Sequence, residues 1–159
     1  SFKQEVELIN LKHERTSNQL QFDKVVFDKS HYFPFDDIVF EVKLKRQIDM
    51  LFRNIILSFH IVDKDHNTIY HISSIFLEKT INQHKDNSRY KFIIKKNALK
   101  PGQYFLNMWL SANNEEMDWI PFQVVVNIQE GNIYNSSYPI LSGFVQPDFD
   151  FNVYEDIAN

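Results

Sequence analysis

Apolar residues recur at every second position in six separate stretches of the chain. These are Val6 and Leu8; Ile38, Phe40, Val42 and Leu44; Leu57, Phe59 and Ile61; Tyr90, Phe92 and Ile94; Tyr104, Leu106, Met108 and Leu110; and Phe122, Val124 and Val126. A period of two is the repeat of a strand with one buried face, so each stretch predicts a strand of an antiparallel sheet. Helical periodicity is weak throughout, and helix is expected only as a turn or two near Leu77–Gln83. Polar stretches suited to turns separate the strands: Asp63–Asn67, Asn82–Ser88, Lys100-Pro101-Gly102 and Ala112–Glu116. With only 3 glycines and 5 prolines in the chain, these turns must rely on Asn, Asp and Ser. The spacing predicts an all-β antiparallel sandwich, immunoglobulin-like or jelly-roll, over residues 1–128.

After Gln129-Glu130-Gly131 the composition shifts. Residues 129–159 begin with the polar stretch Asn132–Ser137 and continue with a segment rich in apolar and aromatic residues, Tyr138 to Phe151. Such a segment must bury itself. It either closes the chain's own sheet or, exchanged between subunits, adds a strand to a second copy and makes a homodimer.

Hairpin spacing sets which side chains share a face. A hairpin centred on Asn114 pairs Met108 with Ile120, Leu106 with Phe122 and Tyr104 with Val124 on its inner side. The outer side then carries Trp109 opposite Trp119, Asn107 opposite Pro121 and Phe105 opposite Gln123, beside an Asn113–Asp118 loop. Paired aromatic rings beside amides and carboxylates suit sugar recognition, because the C–H face of a pyranose stacks on a ring while polar groups take its hydroxyls. Burial of both tryptophans by the C-terminal segment or a dimer partner is the alternative. A second hairpin, centred between Asp65 and His66, pairs His60 with His71 and Ser58 with Ser73 on its outer side, with Tyr70 adjacent in sequence. Two histidines across a strand pair serve either a metal or a hydrogen-bonded polar face, and no third ligand is apparent, so no metal is assigned.

Composition narrows the chemistry. The 159 residues are 43% hydrophobic and 15% aromatic, enough for one domain with a real core. Cysteine is absent, which excludes disulfides, thiol nucleophiles and Cys-based metal centres and fits a cytoplasmic location. A formal charge of -4 without a basic stripe argues against nucleic acid. The longest apolar runs, Ile55–Val62 and Ile120–Val126, fall far short of the ~20 residues that span a bilayer. Neither Gly-x-Ser-x-Gly, His-Glu-x-x-His, Gly-x-Gly-x-x-Gly nor a phosphate-binding loop occurs, so no catalytic residue and no cofactor are assigned. Asp36-Asp37 and Glu115-Glu116 read as turn formers; a glycan-active enzyme would need two carboxylates facing each other about 5–9.5 Å apart. Lys43, Lys45 and Arg46 are available for an anionic ligand, or serve as solvated edge charges.

The stretch Ala98-Leu99-Lys100-Pro101-Gly102-Gln103-Tyr104-Phe105-Leu106, followed by Phe122-Gln123-Val124, resembles the "L-x-P-G-x-Y-x-L … F-x-V" pattern of the C-terminal domain of Wzt-type ATP-binding subunits. These subunits serve bacterial ABC exporters of O-antigen and related polysaccharides. Phe35–Val42 resembles that family's second strand, Leu57–Asp63 its "x-I-x-D" strand, and Ile140-Leu141-Ser142-Gly143-Phe144-Val145 its closing apolar strand, so the likeness runs from about Val6 to Phe151. Where the family carries a turn glycine, this chain has His66-Asn67, and Asn is able to take the left-handed conformation required. The resemblance implies a non-catalytic carbohydrate-binding β-sandwich that reads the non-reducing, often capped, end of an O-antigen polysaccharide and couples it to export. It also implies a homodimer through an exchanged C-terminal strand and a cytoplasmic place at the inner membrane, within lipopolysaccharide biosynthesis. A nucleotide-binding domain joining the module to the membrane-embedded transporter subunit would precede it, as the start at Ser1-Phe2 without Met suggests. The expected sugar-contacting residues are Trp109, Trp119, Asn107, Gln123 and Phe105, then His60, His71 and Tyr70. A structural or adhesive sandwich that binds a protein partner is the competing reading.

Overall fold

A computed structural model describes residues 3–14, 16–131, 143–150 and 152. Among these residues, ten strands form two antiparallel sheets. The first has the order β1 (Gln4–Glu7), β2 (Leu20–Phe27), β3 (Ile38–Arg46), β7 (Tyr90–Ile94). The second is built on two long central strands, β4 (Arg53–Asp63) and β8 (Gly102–Ala112), each of 11 residues. The outer edge of each is shared by two short strands: β5 (Thr68–Ser73) and β6 (Ile81–Gln83) on β4, and β9 (Glu115–Ile120) and β10 (Val125–Ile128) on β8.

In β4 the predicted alternation is the alternation observed: Ile55, Leu57, Phe59 and Ile61 are buried, while Ile56, Ser58 and His60 are partly exposed. Between the sheets the Phe59 ring lies 5.0 Å from Phe40, 4.8 Å from Phe92 and 6.1 Å from Phe22. Edge-to-face and tilted contacts of this kind stabilise a core beyond simple area burial.

Several local expectations are corrected. The one helical element among the described residues is a 3-10 turn at Ser74–Leu77, and residues 81–83 are strand, so the expected Leu77–Gln83 helix is not formed. Ser73 caps the turn, and Glu78 ends it in the left-handed conformation. The Asn113–Asp118 loop shrinks to Asn113-Asn114, both with positive φ, as a two-residue hairpin demands. The left-handed residue of the Asp63–Asn67 turn is His66, with φ 67°, rather than Asn67, whose N–H and side-chain amide donate to Asp63. Strand β2 escaped the periodicity because a bulge between Phe22 and Lys24 shifts its register.

The chain before β2 also has an unpredicted role. Residues 8–14 and 16–18 run beside β9 and cover its outer edge: Glu14, Ser17 and Asn18 donate backbone N–H groups to the carbonyls of Trp119, Glu116 and Met117. The strap is pinned by Asp118, which is fully buried. Its Oδ2 accepts the Phe22 N–H at 2.8 Å and its Oδ1 shares a 2.6 Å hydrogen bond with His13 Nδ1, while His13 Nε2 donates to the Leu8 carbonyl at 2.8 Å. Burial pushes the Asp118 carboxyl up from its ordinary value, against the pull of the Phe22 N–H and of His13. At the far end, Val145 bridges Leu99 and the Gln146 N–H donates to the Ala98 carbonyl, with Gln146 buried. The polar stretch Asn132–Ser137 and the first half of the expected closing strand, Ile140-Leu141-Ser142, lie outside the described residues.

Asp118→Ala leaves the buried Phe22 N–H and the His13 ring without their partner, and is expected to cost about 3–5 kcal/mol in urea unfolding. A loss below about 1 kcal/mol would show that the strap is not held by this pair.

Candidate functional site

The two hairpins that sequence spacing singles out are neighbours in one sheet. Strand β4 pairs with β8 so that Ser58 opposes Trp109 and His60 opposes Asn107. Strand β5 continues the rows with Ser73 beside Ser58 and His71 beside His60, and β9 adds Trp119 beside Trp109. The outer face of the second sheet therefore carries one row of Ser73, Ser58, Trp109 and Trp119, and a second of His71, His60 and Asn107. Phe105 begins a third. Three rows over four strands cover about 14 Å by about 14 Å, from ordinary strand geometry.

The Trp109 and Trp119 rings are stacked, with centroids 5.1 Å apart and planes at 27°. His60 and His71 pack edge to face at 4.3 Å, and the exposed Phe76 ring adds a further edge contact to His71 at 4.9 Å. The Ser58 and Ser73 hydroxyls are 2.8 Å apart. All these aromatic side chains keep part of their surface open to solvent. None of the strand positions in the three rows is a carboxylate, so the arrangement offers stacking and hydroxyl or imidazole hydrogen bonding, not general acid–base chemistry by paired carboxylates. Among the described residues, no group of three His, Asp or Glu is placed to hold a metal.

Three expected site residues stand differently. The register 109↔119 is as expected, but beyond Ile120 the ladder breaks and resumes with Val125 opposite Phe105 and Val126 opposite Tyr104. The register moves by two residues because Pro121 has no N–H to donate to the ladder. An even slip keeps Val124 and Val126 buried but expels Phe122, which was expected inside. Phe122 takes a φ of 54°, unusual for a bulky residue, and its N–H donates to Asn107 Oδ1 at 2.9 Å. Asn107 thus sits on the face but spends its oxygen on the bulge. Gln123 is tied to the strap: its Oε1 accepts the Lys12 N–H at 2.8 Å and its Nε2 donates to the Lys12 carbonyl at 2.6 Å. Tyr70 opposes the buried Ile61, packs against the core and accepts the Ala98 N–H, so it belongs to the inner side.

Phe122 and His66 are the residues that spacing missed. Their rings stack with centroids 3.8 Å apart, and Phe105 meets Phe122 at 6.1 Å, which extends the aromatic face along β8. Pro121 was the available signal for the displaced Phe122. Lys43, Lys45 and Arg46 lie on β3 of the opposite sheet, and the Arg46 guanidinium is already held by Asp86 through bonds of 2.7 and 2.6 Å.

Comparison with known proteins agrees with this architecture. Residues 5–146 match the family described as the Wzt C-terminal domain. The solved structure titled "Crystal structure of the C-terminal domain of wzt" superposes with a TM-score of 0.73 at 12% identity, covering 90% of this chain and 89% of the other. A putative β-galactosidase from Bacteroides fragilis aligns with 69% of this chain but 14% of its own, at 14% identity and a TM-score of 0.37. No curated protein matches the chain.

The His60 imidazole is held below its ordinary value of 6.5, first by burial and then by repulsion from His71. NMR titration is therefore expected to give a midpoint below 6.5 for His60, and His71→Ala should move it up only part of the way. Because the unfolded chain takes up the proton that folded His60 resists, this residue's contribution to stability is lost as pH falls below 6.5.

Proposed function

The chain belongs to the Wzt C-terminal domain family, and on that premise we propose that it is a non-catalytic carbohydrate-binding module that reads the non-reducing end of an exported O-antigen-type polysaccharide. The observation that carries the reading is the stacked Trp109–Trp119 pair, set in register with Ser58 and the His60–His71 pair on one open sheet face. A pyranose laid on this face stacks its C–H groups on an indole, while the serine hydroxyls and imidazole nitrogens meet its hydroxyls. Asn107, Gln123 and Tyr70 serve the scaffold: the first holds the Phe122 bulge, the second ties down the strap, and the third anchors Ala98.

Stacking on one or two rings with a few hydrogen bonds gives modest affinity for a single glycan end. Two copies in one assembly raise it by presenting two sites to neighbouring ends. We assign residues 129–159 to that assembly. The Val145–Leu99 bridge and the buried Gln146 mark a seat for the segment beside Ala98–Leu99, and the same seat accepts it from a second copy. In the exporter, the module would sit at the cytoplasmic side and transmit occupancy to the ATP-binding domain.

Calorimetric titration with the source organism's surface polysaccharide, intact and with its non-reducing terminus removed, tests the reading. Binding is expected to vanish with the terminus and to weaken at least tenfold in a folded Trp109→Ala protein, a loss typical of an aromatic anchor. Equal binding of both forms would remove the chain-end assignment, and full affinity in Trp109→Ala would remove the face. Truncation after Gly131 is expected to convert a dimer into a monomer in light scattering. An unchanged mass would detach the C-terminal segment from assembly.

A further inference from the structure

Where the two sheets part, β5 and the 3-10 turn face β7 across a groove of about 670 Å³. Four cationic side chains line it, Lys79, Arg89, Lys91 and Lys95, and no carboxylate is among its lining residues. The chain as a whole has 21 acidic residues against 17 basic ones, so this grouping runs against the composition. Glu41 of β3 comes within 3.8 Å of Arg89 and opposes Lys91 across the strands. The side chains of Lys79, Lys91 and Lys95 enter no ion pair among the described residues. On β3, beside β7 in the first sheet, Arg46 is by contrast neutralised by Asp86.

The groove also has an apolar wall. Phe76 and Leu77 are 59% and 67% exposed, and Ile93 across from them is 50% exposed. Ordinary folding does not leave such residues out together, and the turn that presents them is well anchored. Ser73 Oγ accepts the Ile75 N–H, Ser74 Oγ accepts the Leu57 N–H at 3.2 Å, and the Glu78 N–H closes on the Ile75 carbonyl at 3.1 Å. The wall is thus held in place before any ligand arrives, which lowers the cost of binding. His71 and Ser73 line this groove and also belong to the rows of the aromatic face, so face and groove are continuous around the edge of β5.

We propose that this groove takes an anionic saccharide unit, one bearing a carboxylate or a phosphate, of a polysaccharide lying across the aromatic face. The inference rests on the carbohydrate-binding reading above and adds the substrate class. The unit's C–H face meets Phe76 and Leu77, and its charge meets the lysines and Arg89. Continuity with the aromatic face favours a saccharide over an acidic peptide, the other occupant such a surface fits.

The experiment is a ¹H–¹⁵N NMR titration of the full chain with tetragalacturonate, its fully methyl-esterified neutral counterpart, glucose 1-phosphate, and an acidic peptide of residues 148–159. Tetragalacturonate is expected to shift the amides of Lys79, Arg89, Lys91 and Ile93, to bind at least tenfold more tightly than the ester, and to weaken as salt is raised. Lys91→Glu combined with Lys95→Glu should weaken it about tenfold, whereas Lys12→Glu, on the strap that covers β9, leaves it unchanged. Equal binding of acid and ester overturns the proposal. So does a response confined to Ser58, Asn107 and Trp109, which leaves the aromatic-face reading standing. No response in the groove to tetragalacturonate or glucose 1-phosphate also overturns it, and binding of the peptide alone at these amides assigns the groove to a protein partner instead.

Discussion

The ring of Phe59 sits where the two sheets meet, in contact with Phe22 and Phe40 of the first sheet and Phe92 at its edge. Because successive side chains of a strand point to opposite faces, burying Phe59 obliges Ser58 and His60 to face outward. Strand β4 pairs on both sides, so this parity passes to β8 and β5 and sets Trp109, Asn107, His71 and Ser73 outward as well. A slip of one residue in β4 would bury two histidines and two serines and expose the core phenylalanine. The candidate binding face is a consequence of where one aromatic ring is packed.

The second sheet manages its edges by sharing them. A single strand as long as β4 or β8 would leave a long unpaired edge on either side, and short partners end to end cover it while allowing a kink between them. Between β9 and β10 that kink is made by Pro121 and the left-handed Phe122, and Asn107 supplies the hydrogen bond that the broken ladder lacks. The same bulge pushes Phe122 against His66, adding a ring to the face. The strap over β9 and the buried His13–Asp118 pair then protect the remaining edge. Features that look like defects in the ladder are the ones that shape the surface.

Face and groove differ in physical character. The rows over β5, β4, β8 and β9 carry rings, hydroxyls and imidazoles, whose contacts with a ligand vary little with salt. The groove between β5 and β7 sets lysine and arginine cations beside apolar side chains, and the pull of those cations on an anion reaches about a Debye length and is screened by salt. Joined around one strand edge, they form a surface able to read ring shape and charge separately in one polymer.

Two-residue alternation was enough to locate β1, β3, β4, β7, β8 and β10, and hairpin spacing was enough to pair His60 with His71 and Trp109 with Trp119. Both pairings are local in sequence, although in each hairpin a bulge, between Ile61 and Val62 and between Leu110 and Ser111, shifts the register that the turn alone would set. The family motif around Pro101-Gly102 was likewise legible from neighbouring residues. Only the tertiary structure decided that the two hairpins lie side by side, since the β4–β8 pairing joins residues about fifty positions apart and no turn specifies it. It also turned Tyr70 inward, gave Gln123 to the strap, and assembled a cationic groove from β5, a 3-10 turn and β7, which belong to different sheets. Alternation states which residues point the same way along one strand; which strands become neighbours is settled by how two apolar faces pack around Phe59.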